Sequence, residues 1–182
     1  MNRFQMEAGH GSVMKIREIA PARKSFVHPA RTAIAAVISL IAARALGLPE
    51  AFWAPISTMI VMQSTLGAAL TISWRRLIGT AFGSVAGALL STWFGPSLIA
   101  FGAGVFGVGL VCGALPLDRS AYRFAGITLT VVMFAAHGQP AWVTATHRFC
   151  EVSLGIVVGV IVTALWPEQL GGEIQSTVKS TL

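Results

Sequence analysis

The chain has 182 residues, of which 54% are hydrophobic and only 11% are charged, and its mean hydropathy is +0.72. Water-soluble domains carry about 25% charged residues, so this composition excludes an ordinary soluble protein. A net charge of +6 is compatible with nucleic-acid binding, but the 13 Lys and Arg residues separate apolar segments and form no polar face. We therefore expect the lipid bilayer, and no nucleic acid, as the partner of this chain.

The first 28 residues are mixed and polar, and they are predicted to form a cytoplasmic N-terminal lead-in. Apolar segments then follow one another, and they cover residues 29–46, 51–66, 71–94, 97–115, 121–136 and 143–166. A helix needs about 20 residues to cross a hydrocarbon core of about 30 Å, and the second and fifth segments reach this length only with their flanks. The sequence predicts an all-α membrane protein with six transmembrane helices over residues 29–167 and a short cytoplasmic tail over residues 168–182.

Two features of the sequence predict the orientation. Placing both termini in the cytoplasm puts eleven Lys and Arg residues inside and leaves only Arg44 and Arg148 outside, which is the bias expected of membrane proteins. The five tryptophans all lie near segment ends, where indole rings favour the headgroup level.

The second half of the chain resembles the first at an offset of about 71 residues. ISTMIVM (56–62) aligns with ITLTVVM (127–133), and Arg76 aligns with Arg148. Each copy holds three predicted helices, so the second copy must be inserted upside down relative to the first. A 3+3 inverted repeat is typical of transporters that bind substrate near the midplane between the halves, on short or interrupted helices.

Candidate site residues follow from this repeat. In the second segment Pro55 precedes Ser57 and Thr58, and a proline inside the helix is expected to remove one backbone hydrogen bond and free a carbonyl group; Thr128 is the corresponding candidate in the fifth segment. A simple proline kink satisfied by neighbouring hydroxyls is the alternative. Three ionisable residues share one helical face in THRFCE, namely His147, Arg148 and Glu151.

Roles are predicted from the charges of these side chains. Arg148 is expected to attract a carboxylate substrate, with Arg76 as its counterpart on the inner side. Glu151 and His147 are expected to exchange protons, because a carboxyl group removed from water holds its proton more readily and imidazole titrates near neutral pH. Two structural alternatives remain open: an interfacial Arg148–Glu151 salt bridge, and an Arg76 that snorkels to headgroups.

No enzymatic motif is apparent. Gly102, Gly104 and Gly107 spell GxGxxG, but they lie inside an apolar helix without the preceding strand of a dinucleotide site. The two cysteines, Cys112 and Cys150, have no metal-ligand spacing. We expect neither catalysis nor a cofactor nor a metal.

Together RRLIGTAFGSVAGALL, FWAPISTMIVMQ, YRFAGITLTVVM and HRFCEVSLGIVVGVIVTALWP resemble the fusaric acid resistance family, the aromatic acid exporters, over residues 29–167. The resemblance implies a six-helix block that exports small organic acids, often aromatic carboxylates, across the bacterial inner membrane in a proton-coupled manner. Larger members carry a cytosolic domain and a second membrane block, so we expect a homodimer here. A passive anion channel and a non-transporting membrane subunit are the alternatives.

Overall fold

The computed structural model describes residues 10–63, 65–115, 119–135 and 138–166, with side chains from Phe26 onward. These residues form helices and no strand, which confirms the all-α prediction. The elements are α1 (His10–Ala45), α2 (Trp53–Val61), α3 (Leu66–Phe94), α4 (Leu98–Ala114), α5 (Arg119–Phe134) and α6 (Ala141–Leu165). The predicted tail at 168–182 lies outside the described residues.

Three of these elements are long and apolar enough to cross a membrane: the stretch Phe26–Ala45 of α1, all of α3 and all of α6. Helix α4 is apolar but has only 17 residues, and α5 has 16. Helix α2 has nine residues, which corresponds to a length of about 13 Å and less than half of a hydrocarbon core. The described chain therefore contains three candidate spans and three shorter helices packed beside them.

Several helix boundaries differ from the predicted ones. Helix α1 continues upstream of Pro29, the predicted start, because one proline removes only a single backbone hydrogen bond. Helix α2 ends at Val61, and α3 begins at Leu66. The start of α3 is fixed by Thr65, whose side chain caps the helix by accepting a hydrogen bond from the backbone N–H of Ala68. Arg76 consequently lies further from the start of α3 than the predicted start at residue 71 implies.

The predicted loss of a backbone hydrogen bond at Pro55 inside the second helix is wrong. Pro55 lies in the first turn of α2, where backbone N–H groups have no intrahelical acceptor and proline is tolerated. The shortness of α2 therefore originates at its C-terminal end, where Met62 adopts an extended conformation.

The helices are arranged around a central pair, α3 and α6, which pack against each other. Helix α2 packs against α6, and α5 packs against α3. Helix α1 contacts α2 and α6 from outside, and α4 contacts α5 and α3 in the same way. Two of the short helices, α2 and α5, are thus each held by a long helix from the other half of the chain.

Glycines allow these two interhelical contacts to be close. A Cβ atom at Gly83 of α3 would overlap the carbonyl oxygen of Ala125 in α5, and a Cβ at Gly155 of α6 would overlap that of Ala54 in α2. One turn further along, a Cβ at Gly87 would lie 2.9 Å from the Cβ of Val132. Glycines spaced four residues apart in α3 thus allow its close approach to α5.

We predict that Gly83→Ala lowers the free energy of unfolding by about 1–3 kcal/mol, because α3 and α5 must separate to admit the methyl group. The matched control is Gly102→Ala in α4, where an added Cβ meets nothing within 4 Å. Thermal unfolding of both variants in detergent measures the difference. Equal midpoints for the two variants would contradict the packing described for α3 and α5.

Candidate functional site

Arg148 lies against the aromatic ring of Trp53 inside the helix assembly. Its side chain is only 2% exposed, and Cζ lies 3.1 Å from the centroid of the Trp53 ring. Trp53 is the first residue of α2, and Arg148 lies two turns into α6, so the α2–α6 contact brings them together. The indole face supplies the negative potential that a desolvated guanidinium requires.

Glu50 connects this pair to Glu151. Its backbone N–H donates to Oε1 of Glu151 at 2.9 Å, and its own Oε2 accepts from Nε1 of Trp53, also at 2.9 Å. Glu50 precedes α2 in the α1–α2 connection, and Glu151 is 1% exposed, one turn beyond Arg148. Two carboxyl groups and one guanidinium therefore occupy the same region.

A second buried guanidinium lies one turn further along α2. Arg76 of α3 is 4% exposed, and its Nη2 donates to Oγ of Ser57 at 3.1 Å. The ring of Phe124 in α5 lies 4.9 Å from its Cζ. The alternative of an Arg76 that snorkels to the headgroups is therefore wrong in this structure, because helix–helix contacts enclose the side chain.

The region around Arg148, Glu50 and Glu151 opens into a cavity of about 430 Å³. The cavity is bounded by the α1–α2 connection, the end of α5 and the beginning of α6. The ionisable and amide side chains that line it are Glu50, Gln139, His147, Arg148 and Glu151. Arg76 is not among the lining residues and lies deeper.

Several polar atoms at this cavity have no hydrogen-bond partner within the described ranges. They are Nε and Nη1 of Arg148 and Oε2 of Glu151. Buried polar atoms are normally satisfied, and an unpartnered buried guanidinium N–H costs free energy. The arrangement is therefore suited to accept an anionic group at Arg148.

The predicted site residues do not all lie together. Ser57 contacts Arg76, and His147 lines the same cavity as Arg148 and Glu151. The hydroxyl of Thr58 instead lies 2.9 Å from the carbonyl oxygen of Gly155, in the α2–α6 contact. Thr128 is buried in the α3–α5 contact, where a Cβ at Gly83 would lie 2.9 Å from its own Cβ.

Three residues of the region were missed by sequence reasoning: Glu50, Trp53 and Phe124. Trp53 was interpreted only as an interfacial residue because of its place at a segment end. Its position in LPEAFWAP, three residues after the acidic Glu50 and near the start of an apolar run, was the available signal. Phe124 aligns with Trp53 at the repeat offset and was identifiable in that way.

Apolar helices long enough to cross a membrane, with guanidinium groups buried among them, indicate an integral membrane protein. The chain belongs to the fusaric acid resistance protein-like family, whose model matches residues 34–162. No solved structure matches the chain.

Curated relatives agree with this membership. The inner membrane protein YeeA of Escherichia coli K12 is 28% identical over 151 residues, which cover 79% of this chain and 41% of YeeA. The uncharacterized transporter YdhK of the same strain is 28% identical over 75% of this chain and 22% of its own length. The p-hydroxybenzoic acid efflux pump subunit AaeB of Edwardsiella ictaluri is 28% identical over 82% of this chain and 26% of its own length. The family is thus one of membrane transporters, and the chain spans less than half the length of these relatives.

We predict that Ser57 and Arg76 are energetically coupled, because their hydrogen bond satisfies a buried charge. A double-mutant cycle of Ser57→Ala and Arg76→Met, read from thermal unfolding in detergent, should give a coupling free energy of about 1.5–3 kcal/mol. The control is Thr146→Val in place of Ser57→Ala, since Thr146 is exposed and its hydroxyl bonds within its own helix. Additive effects for Ser57 and Arg76 would mean that this contact contributes nothing to stability.

Proposed function

We propose that this chain is a membrane unit that exports small organic anions, with aromatic carboxylates as the substrate class, across a bacterial inner membrane. The observation that carries the proposal is Arg148, a buried cation that faces a cavity with two donors unpartnered within the described residues. Similarity to YdhK, described as an uncharacterized transporter, and to AaeB, a p-hydroxybenzoic acid efflux pump subunit, also supports an export function.

The chemistry of the cavity favours a carboxylate. A guanidinium stays charged at physiological pH and presents planar donors that match carboxylate geometry. Trp53 covers one face of the Arg148 guanidinium, so a ligand approaches along its edge, where Nε and Nη1 lie. A volume of about 430 Å³ is enough for a single-ring acid.

We also propose that the six helices form a 3+3 inverted repeat with both termini in the cytoplasm. Equivalent contacts in the two halves support it. Residues about 71 apart occupy matching places: Gly83 meets Ala125 as Gly155 meets Ala54, and Arg76 faces Phe124 as Arg148 faces Trp53. In this arrangement the short helices complete their crossing through non-helical flanks that are covered by neighbouring helices.

Proton coupling is proposed for Glu151, with His147 as its partner at the cavity. Oε2 of Glu151 is buried and has no hydrogen-bond partner within the described residues. A proton on this oxygen would remove the charge that competes with a substrate carboxylate for Arg148. The second carboxyl group of the region, on Glu50, accepts a hydrogen bond from Trp53 and is assigned to holding that ring.

A homodimer is proposed as the transporting unit. The chain matches less than half of the length of YeeA and about a quarter of YdhK or AaeB. A second copy would supply a further membrane block.

We predict that Arg148→Gln lowers the affinity of the purified protein for benzoate at least tenfold, because the carboxylate loses its charged donor. Arg123→Gln is the control, since Arg123 is exposed at the start of α5 and changes the net charge equally. Isothermal titration in detergent measures binding, and labelled benzoate flux in proteoliposomes measures transport. Unchanged binding in Arg148→Gln would overturn the proposed site.

We further predict that Glu151→Gln abolishes benzoate transport driven by a proton gradient while benzoate exchange at equal pH continues. The comparison variant is Glu50→Gln, which keeps an acceptor for the Trp53 N–H. If only Glu50→Gln lost gradient-driven transport, Glu50 would be the proton-carrying residue. If both variants kept gradient-driven transport, proton coupling at this site would be contradicted. Conductance through the wild-type protein without a proton gradient would instead favour a passive anion channel.

A further inference from the structure

Arg31 is a third buried arginine, and it lies away from the cavity. Its side chain is 0% exposed, within the apolar part of α1. Nη2 donates to the backbone carbonyl oxygen of Gln63 at 2.8 Å, and Nη1 donates to that of Trp166. One guanidinium group therefore connects three segments of the chain.

Both acceptors lie where helices end. Gln63 follows the C-cap of α2, and Trp166 is the C-cap of α6. Carbonyl groups at a helix C-terminus carry the negative end of the helix dipole and lack intrahelical donors. Among the described residues, no acidic side chain lies within ion-pair distance of Arg31, and the two helix ends supply negative partial charge to its guanidinium group.

The position of Arg31 relative to the cavity gives it a specific role. Gly155 meets Ala54 and Gly159 meets Val61, so α2 and α6 run parallel. The cavity lies at the N-terminal ends of both helices, and Arg31 joins their C-terminal ends. The same helix pair is therefore open at one end and tied at the other.

The other half of the chain has no equivalent of Arg31 in its outer helix. Helix α4 stands where α1 stands in the other half, packing on α5 and α3 as α1 packs on α2 and α6. Its sequence, LIAFGAGVFGVGLVCGA, contains no basic residue. No cation of α4 can therefore join the ends of α3 and α5 as Arg31 joins those of α2 and α6.

We propose that Arg31 closes the α2–α6 pair at the end opposite the cavity, and that passage of a substrate to that side requires Arg31 to release one of its two carbonyl groups. The proposal deepens the transport function proposed above and rests on it. Arg31 acts as a positioning residue, because it contacts helix ends and lies outside the cavity. Arginine suits the task because its planar fork presents two donors in fixed directions, whereas lysine offers a single point charge.

The test uses accessibility from the tied end. In a Cys112→Ala, Cys150→Ser background, Gln63→Cys places a thiol beside the contact and preserves the backbone carbonyl that Arg31 binds. Arg31→Gln should raise the rate of its modification by a membrane-impermeant maleimide about tenfold, and Arg31→Lys should give a smaller increase. Arg44→Gln, an exposed cation at the other end of α1, is the control and should change nothing. Gln139→Cys at the cavity should react at the same rate in every variant.

Benzoate binding separates closure from a merely structural role. Binding in Arg31→Gln should stay within about twofold of wild type while gradient-driven transport falls at least tenfold. Loss of binding in both Arg31→Gln and Arg31→Lys, together with faster labelling at Gln139→Cys, would mean that Arg31 only maintains the fold. An unchanged labelling rate at Gln63→Cys would overturn the proposal directly. Failure of wild-type protein to bind benzoate would overturn the proposed transport function, and the labelling rates would still decide the closure.

Discussion

The structure depends on how an apolar helical protein accommodates guanidinium groups that it cannot expose to water. Arg31, Arg76 and Arg148 are all almost completely buried. A buried charge is tolerated only when neighbouring groups replace its hydration. Here the groups that replace water around the guanidinium ions carry only partial charges. They are the aromatic faces of Trp53 and Phe124, one serine hydroxyl, and backbone carbonyl groups at helix ends. Among the residues that the structure describes, carboxylates contribute only near Arg148, which distinguishes that region from the other two.

These replacements exist because α2 and α5 approach the long helices closely. Gly155 allows α2 to approach α6 so that Trp53 lies beside Arg148, and Gly83 allows α5 to approach α3, where Phe124 lies beside Arg76. Side chains larger than hydrogen at these positions would move the aromatic rings away from the cations. Burial of the arginine charges thus depends on helix packing, because the small residues determine where the aromatic faces lie.

The helical class, the burial of Arg148 and Glu151 and the close packing at Gly83 could be predicted from hydropathy, helical spacing and small-residue periodicity. The true extent of α2 could not, because Met62 continues the apolar pattern although its backbone is already extended. The importance of Arg31 was also hidden, because near the start of an apolar run a cation is ordinarily a marker of orientation. Thr58 and Thr128 were expected at the site on account of their polarity, but their positions are fixed by the packing of α2 on α6 and of α5 on α3.

The pairing of short and long helices sets an order for biogenesis. Helix α5 emerges from the ribosome after its partner α3 has been made, so it can dock as soon as it enters the bilayer. Helix α2 packs on α6, the last helix described, and nearly a hundred residues separate the two sides of that contact, as between Thr58 and Gly155. A nine-residue segment is too short to be retained in lipid by its own hydrophobicity. The α2–α6 contact, and with it the cavity, can therefore form only after translation has reached α6.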